Sequence, residues 1–334
     1  MSSFKAFRVF QSDNKIEGSV VDLEQEALGD GDVVFKVAYS SVNYKDALAA
    51  TGRAGKVMRR YPLVGGIDSA GVVEQSSHPA FQPGDSVICT SYDMGVSHDG
   101  GFSHYCRVPS QWLVPLPKGL SLLEAMSLGT AGYTAALAIE LLEQNGLKPE
   151  GGPIVINGAT GGVGSILVDI LSGLHYDVTA LTGKRQSEAY LQHLGAKALL
   201  PREAAAVSAR PLEKSQWAAA FDSVGSDQLT WLTKTMMQNG LIACFGNAGG
   251  IEFTGNVLPF ILRGLRLIGV DSVQTPISIR QHIWNRLATD LKPRHLASIV
   301  TTTLSLDQLK PYFELMLDGQ VTGRAVVDLS KTPH

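Results

Sequence analysis

The sequence predicts an α/β protein in two parts, a compact antiparallel β-barrel followed by a doubly wound parallel sheet. Three observations carry that expectation. The first third of the 334 residues is made of short β-rich runs broken by Gly, Pro and Asp. From Gly152 onward, strand-like apolar runs alternate with helical segments, the pattern of βαβ units. At the head of that second pattern, "IVINGATGGVGS" (154–165) runs from a buried strand through a Gly-rich turn straight into an apolar helix.

Taken in order, "DVVFKVAYSSV" (32–42), "AGVVEQ" (70–75) and "GDSVICTSY" (84–92) read as barrel strands separated by turn residues. The Ala-rich apolar stretch 122–146 reads as one or two helices leading into the second domain. Parallel strands are expected at 153–157, 177–182, 197–200, 217–224, 241–247 and 265–273, with helices over 163–174 and 187–195. The segment 306–319 reads as a helix and 323–329 as a closing strand.

A formal net charge of −3 gives no sign of a surface built for nucleic acid or anionic lipid. The run MSSFKAFRVF lacks the apolar core of a signal peptide, and no apolar run is expected to reach the length needed to cross a bilayer. A soluble, cytoplasmic protein is expected. Cys89, Cys106 and Cys244 are widely separated with no CxxC pair, so free thiols are expected rather than a disulfide or zinc framework.

The Gly-rich turn suits a pyrophosphate, whose charge would rest against the free N–H groups of the following helix. Measured against G-x-G-x-x-G, Ala159 replaces the first Gly, while Gly161 and Gly164 stay in register. Thr160, Gly161, Gly162 and Val163 are therefore candidate cofactor contacts. About 20 positions on, an NAD-binding site usually has an acidic residue. Here "LTGKRQ" (181–186) has none. Thr182, Gly183, Lys184 and Arg185 suit the 2′-phosphate of NADPH instead, with Arg202 on the adenine side. The alternative for the two adjacent cations is a solvated charged turn.

Over nearly its whole length the chain resembles the medium-chain dehydrogenase/reductase superfamily. It is most similar to the zinc-free quinone oxidoreductase branch and, within that, to the acryloyl-CoA reductase group. The residues that carry this are "SSVNYKDALAATG" (40–52), "GIDSAGVV" (66–73), "NGATGGVGS" (157–165), "PFILRGLRLIGVDSV" (259–273) and "GRAVVDL" (323–329). The resemblance implies a GroES-like barrel catalytic domain over 1–123, completed by 296–334, and a Rossmann NADPH-binding domain over 124–295. Zinc-dependent relatives carry Gly-His-Glu where this chain has Gly66, Ile67 and Asp68. Their other metal-binding cysteines also have no counterpart here, so no metal is expected.

Without a Lewis acid, hydride transfer requires an acceptor that is already electron-poor. A conjugated carbonyl suits this: hydride adds at the β-carbon and charge gathers on the oxygen. The resemblance places "NYKD" beside the nicotinamide, which makes Asn43 and Tyr44 catalytic candidates and Tyr44 and Asp46 cofactor contacts. Tyr44 offers a phenol proton, with a packed aromatic as the alternative. Asp46 is read as orienting its neighbours. Asn247, Ala248 and Ser272, at strand ends, are expected near the dinucleotide. Ile261 is placed beside the nicotinamide by the resemblance, and Arg324 faces the cleft or forms a surface charge.

Arg53, Lys56, Arg59 and Arg60, with Lys45, form a basic cluster that suits the phosphates of coenzyme A or a solvated loop. His98, Asp99 and His104 read as loop structure rather than a metal or relay site. The expected function is NADPH-dependent reduction of an activated C=C bond, acryloyl-CoA to propanoyl-CoA. The alternatives are an NADPH:quinone oxidoreductase and an NADPH-binding protein without turnover. Partners are a small enoyl thioester or quinone, with no nucleic acid or membrane. A homodimer is expected through the last parallel strand.

Overall fold

Strand Val33–Ser41 organises the first part of the chain, because its buried positions are shared among three partners. One edge pairs antiparallel with Asp68–Ser76. The other is divided: residues 33–36 pair with Tyr105–Val108 and residues 39–41 with the C-terminal strand Arg324–Asp328. The structure is a computed structural model that describes residues 3–13, 15–53 and 57–330.

The full order of this seven-stranded sheet is Val300–Leu304, Arg324–Asp328, Val33–Ser41, Asp68–Ser76, Ser86–Thr90 and Leu113–Pro115, with Tyr105–Val108 beside Val33–Ser41. A three-stranded sheet accompanies it, ordered Lys15–Leu23, Phe4–Ser12 and Leu63–Val64. Their shared core includes Phe7, Phe102 and Phe313, packed edge-to-face or tilted with ring centroids 5.7–6.4 Å apart.

The second part is a six-stranded, wholly parallel sheet. Its spatial order is Ala198–Pro201, Val178–Thr182, Ile154–Asn157, Trp217–Asp222, Met236–Cys244 and Arg266–Gly269. Strand order reverses between Ile154–Asn157 and Trp217–Asp222, and a ligand crevice forms beyond the carboxyl ends at such a switch point. The expected strand 265–273 ends early, at Gly269. The expected strand 241–247 begins at Met236 and stops at Cys244, where the Phe245 N–H donates to the Asp222 carbonyl at 3.0 Å as the last rung of the parallel ladder.

The chain divides into one unit of residues 1–131, 273–289 and 296–334 and another of 132–272 and 290–295. Segment 273–289 thus belongs with the barrel rather than with the 124–295 block. The reason is Arg280, on helix Ile277–Ala288. Its fully buried guanidinium donates to Thr90 Oγ1 at 3.0 Å and Tyr92 Oη at 3.2 Å, and lies 4.4 Å over the Tyr92 ring. Residues 290–295 stay with the parallel sheet because the backbone N–H and ring Nδ1 of His295 meet the buried Asp169 carboxylate at 2.9 and 2.7 Å.

The expected absence of an apolar run of bilayer length meets one exception. Helix Leu122–Gln144 is long and apolar enough to cross a membrane by length and composition, yet 78% of its apolar window is buried inside the protein. It is a core helix, and Gly129 kinks it with φ 51° and ψ −154°.

Candidate active site

The barrel unit holds a buried polar cluster around Asp68, which is fully enclosed. Its Oδ2 accepts from Ser41 Oγ at 2.6 Å, Asn43 Nδ2 at 2.7 Å and the Thr130 backbone N–H at 2.8 Å, while Oδ1 accepts from Thr130 Oγ1. Arg324 supplies the countercharge, with Nη2 4.0 Å from Asp68 Oδ2. Its other nitrogens donate to Ser127 O at 3.2 Å, Val42 O at 3.0 Å and Asn43 Oδ1 at 3.1 Å. Burial pushes the guanidinium below its ordinary pKa, against the attraction of Asp68. Arg324 is therefore not a surface charge. Its Nη2 is buried and makes no hydrogen bond among the described residues.

This ion pair straddles the helix kink. Arg324 caps the carbonyl of Ser127 just before Gly129, and Asp68 receives the N–H of Thr130 just after it. A cation at a helix C-terminus and an anion at an N-terminus both match the helix dipole. Gly129 permits the break: a Cβ there would lie closer than 3.0 Å to Ser41 Oγ, Asp68 Oδ2 and Arg324 Nη2.

Asn43 and Asp46 belong to the same cluster. Asn43 precedes helix Tyr44–Thr51, and Asp46 closes its first turn by accepting the Asn43 N–H at 2.8 Å and the Ile67 N–H at 3.0 Å. Burial and the nearby Asp68 charge push the Asp46 carboxyl up to about 7. Tyr44 opens the helix and is 43% exposed, so it is not a packed core aromatic.

The other candidates stand on the parallel sheet. Helix Gly162–Gly173 begins on Gly161 with no side-chain cap, which leaves its first N–H groups directed toward the Gly-rich loop. Thr160 is buried, and Gly161, Gly162 and Val163 are exposed or half-buried. Beyond strand Val178–Thr182, the Thr182 hydroxyl accepts the Lys184 N–H at 3.1 Å. The Arg202 guanidinium lies so close over Gly183 that a Cβ there would come within 2.9 Å of it. Lys184 is held below the ordinary lysine pKa, first by burial and then by the Arg202 charge. Two cations facing each other at a strand end suit a dianionic group. Arg185 is exposed in the turn Arg185–Ser187.

Asn247 and Ala248 are exposed in the loop after strand Met236–Cys244, at the sheet's carboxyl end. Ile261 is 69% exposed on helix Leu258–Arg263, and Ser272 follows strand Arg266–Gly269. Asn43, Asp46 and Arg324 thus gather in the barrel, with Tyr44 beside them on the same helix. The remaining cofactor candidates gather on the sheet. The uncapped helix start and the Lys184–Arg202 pair, both on the parallel-sheet unit, fit a phosphate-bearing dinucleotide.

The basic cluster fits coenzyme A less well. Arg53 is held by Glu314 and Asp318, the latter at 3.0 Å, and Arg59 faces Asp93 at 3.7 Å. Lys56 lies outside the described residues. Asp99 ties the backbone N–H groups of Gly29 and Val64, and His98 and His104 meet carbonyls, so this loop is structural. Among the described residues no group of three or more His, Cys, Asp or Glu side chains is placed to hold a metal ion. Three residues of the barrel cluster were not picked out as site residues by sequence reasoning: Asp68, noted only where zinc-dependent relatives carry Glu, and Ser41 and Thr130. The only signal of the last two was position, flanking "NYKD" and following Gly129.

A Rossmann-type sheet with a Gly-rich loop at its switch point, in one chain with a barrel, defines a two-domain dinucleotide-binding protein. Residues 29–118 match the alcohol dehydrogenase GroES-like domain family. YhfP of Bacillus subtilis, named after quinone oxidoreductases, is 46% identical over 98% of this chain and 99% of its own. Its crystal structure with NAD bound has a TM-score of 0.95 at 45% identity, covering 98% and 100% of the two chains. The acrylyl-CoA reductase AcuI of Ruegeria pomeroyi is 42% identical over 96% of this chain and 97% of its own. The yhdH oxidoreductase of Salmonella enterica in complex with NADP has a TM-score of 0.94 at 43% identity, covering 97% and 99%. The chain belongs to the medium-chain dehydrogenase/reductase family.

Proposed function

We propose that the protein is an NADPH-dependent oxidoreductase that reduces an activated C=C bond, acryloyl-CoA to propanoyl-CoA. The observation that carries the cofactor assignment is the Lys184–Arg202 pair beside an uncapped helix start, with no carboxylate at the end of strand Val178–Thr182. The NADP-bound yhdH structure and the name of AcuI support the same reading. The bound dinucleotide supplies hydride. This chain's residues do the rest: the loop at 160–163 holds the pyrophosphate, and Thr182, Lys184 and Arg202 grip the 2′-phosphate. Arg324 fixes Asn43, whose N–H Asp46 accepts, at the start of the helix that presents the exposed Tyr44 phenol as a proton source.

A quinone acceptor is the second reading. It is favoured by the ion pairs that occupy Arg53 and Arg59, which remove two cations from the basic cluster. The deciding experiment follows NADPH oxidation with acryloyl-CoA, simple enones and quinones. Turnover confined to quinones overturns the thioester reading, and no turnover with any acceptor leaves a dinucleotide-binding protein.

The same proposal includes a homodimer and a cytoplasmic location. The edge strand Arg266–Gly269 follows a segment in which Ile251, Val257, Ile261 and Leu262 are exposed, apolar side chains of the kind a second copy covers. Three free thiols suit a reducing compartment.

A further inference from the structure

Around Ser223, three loops at the carboxyl end of the parallel sheet are laced into one piece. Asn157 is the buried last residue of its strand, and Gly158 follows it at once. The Asn157 Nδ2 donates to Asp222 Oδ1, and its Oδ1 accepts the Ser223 backbone N–H at 2.7 Å. The Ser223 hydroxyl returns the contact, donating to the Asn157 carbonyl at 3.1 Å. Gly158 has φ +56°, and a Cβ there would lie closer than 3.0 Å to that hydroxyl. Ser223 is therefore wedged against the first turn of the phosphate loop.

Its other side meets the next loop. The Ser223 carbonyl accepts the Ala248 N–H at 3.3 Å, and Gly246 passes so close that a Cβ would collide with it. Asp222, fully buried, holds the turn beneath by accepting the N–H groups of Val224 at 3.2 Å and Gly225 at 3.1 Å. Replacing such buried polar pairs with apolar residues is often neutral for stability, so what this one contributes is fixed geometry.

We infer that Asn157, Asp222 and Ser223 are positioning residues for the dinucleotide. They set the spacing between the loop that meets the pyrophosphate and the loop that carries Asn247 and Ala248. The 2′-phosphate grip at Lys184 and Arg202 lies outside this lock and is independent of it. The assignment rests on the dinucleotide reading of the site.

The test is Ser223→Ala in the full chain, with NADPH binding read by protein fluorescence. Adenosine 2′-monophosphate serves as a competitor that probes the 2′-phosphate grip alone. The NADPH Kd is expected to rise about five- to tenfold, as loss of one partly buried hydrogen bond from a preorganised loop implies. The inhibition constant of adenosine 2′-monophosphate stays unchanged. Equal weakening of both ligands, or no change in either, overturns the assignment.

Asn157→Asp gives a second arm. Two buried carboxylates would then face each other and share a proton. The variant-to-parent ratio of NADPH Kd therefore rises with pH as that shared proton is lost. A ratio flat with pH overturns the assignment. Failure of the parent chain to bind NADPH removes the dinucleotide reading and this inference together; variants that bind like a competent parent remove the inference alone.

Discussion

Asp68 and Arg324 face each other at 4.0 Å inside the barrel and hold opposite sides of one break in a helix. Neither is replaceable alone, because each would leave the other's charge buried. Asp68→Ala is expected to destabilise the protein by about 3–5 kcal/mol. Denaturant unfolding with an unchanged midpoint would show that the pair is not what holds the kink.

Gly129→Ala meets the same cluster from the backbone side. A Cβ in a left-handed conformation, pressed on Asp68 and Arg324, is expected to cost about 3 kcal/mol or more. The check is a fall in Tm comparable to that of the Asp68 variant.

Asp46 makes stability depend on pH. Its carboxyl is pushed up to about 7 in the fold, whereas an unfolded aspartate titrates near ~3.9. The folded state thus holds the extra proton between those values. The contribution is complete below the lower value and is lost as pH rises through about 7. Asp46→Asn removes this slope and costs about 1–3 kcal/mol, because an amide cannot accept from both the Asn43 and Ile67 N–H groups. Unfolding free energies of parent and variant on either side of neutrality test it, and parallel pH profiles refute it.

Cofactor choice rests on two side chains. Lys184→Ala and Arg202→Ala are each expected to raise the KM for NADPH about 10- to 100-fold, the value of one charge-assisted contact, and to leave that for NADH nearly unchanged. A parallel loss for both nucleotides would place these cations elsewhere than at the 2′-phosphate.

Arg53→Ala is expected to change the KM for a CoA thioester by less than about twofold, since exposed ion pairs already engage its guanidinium. A rise of about tenfold in steady-state kinetics would restore the coenzyme A role of this loop.

The sheet was legible because its signals are local. Apolar runs, Gly-rich turns and the cations after strand Val178–Thr182 all lie within a few residues of the geometry they create. The barrel cluster was not. Asp68 reads as a strand residue and Gly129 as a helix interior, and only the fold brings Arg324 to both. Distance in sequence also concealed the partners of Arg53, so a cation neutralised by Glu314 and Asp318 read as one available to a ligand. Helix Tyr44–Thr51 escaped because its cap, Asp46, looks like a charge beside a catalytic motif rather than the closure of a turn.

The kinked helix has a consequence for synthesis. Its break is held from one side by Asp68, which precedes the helix in sequence, and from the other by Arg324, which follows the whole parallel sheet. Strand Arg324–Asp328 also supplies one edge partner of Val33–Ser41. On a ribosome, the parallel sheet can therefore form while the barrel still waits for its final strand. Until that strand emerges, a 23-residue apolar helix lacks the cation that closes its kink. The growing chain is most exposed to aggregation in that interval, and truncation before Arg324 would leave it there permanently.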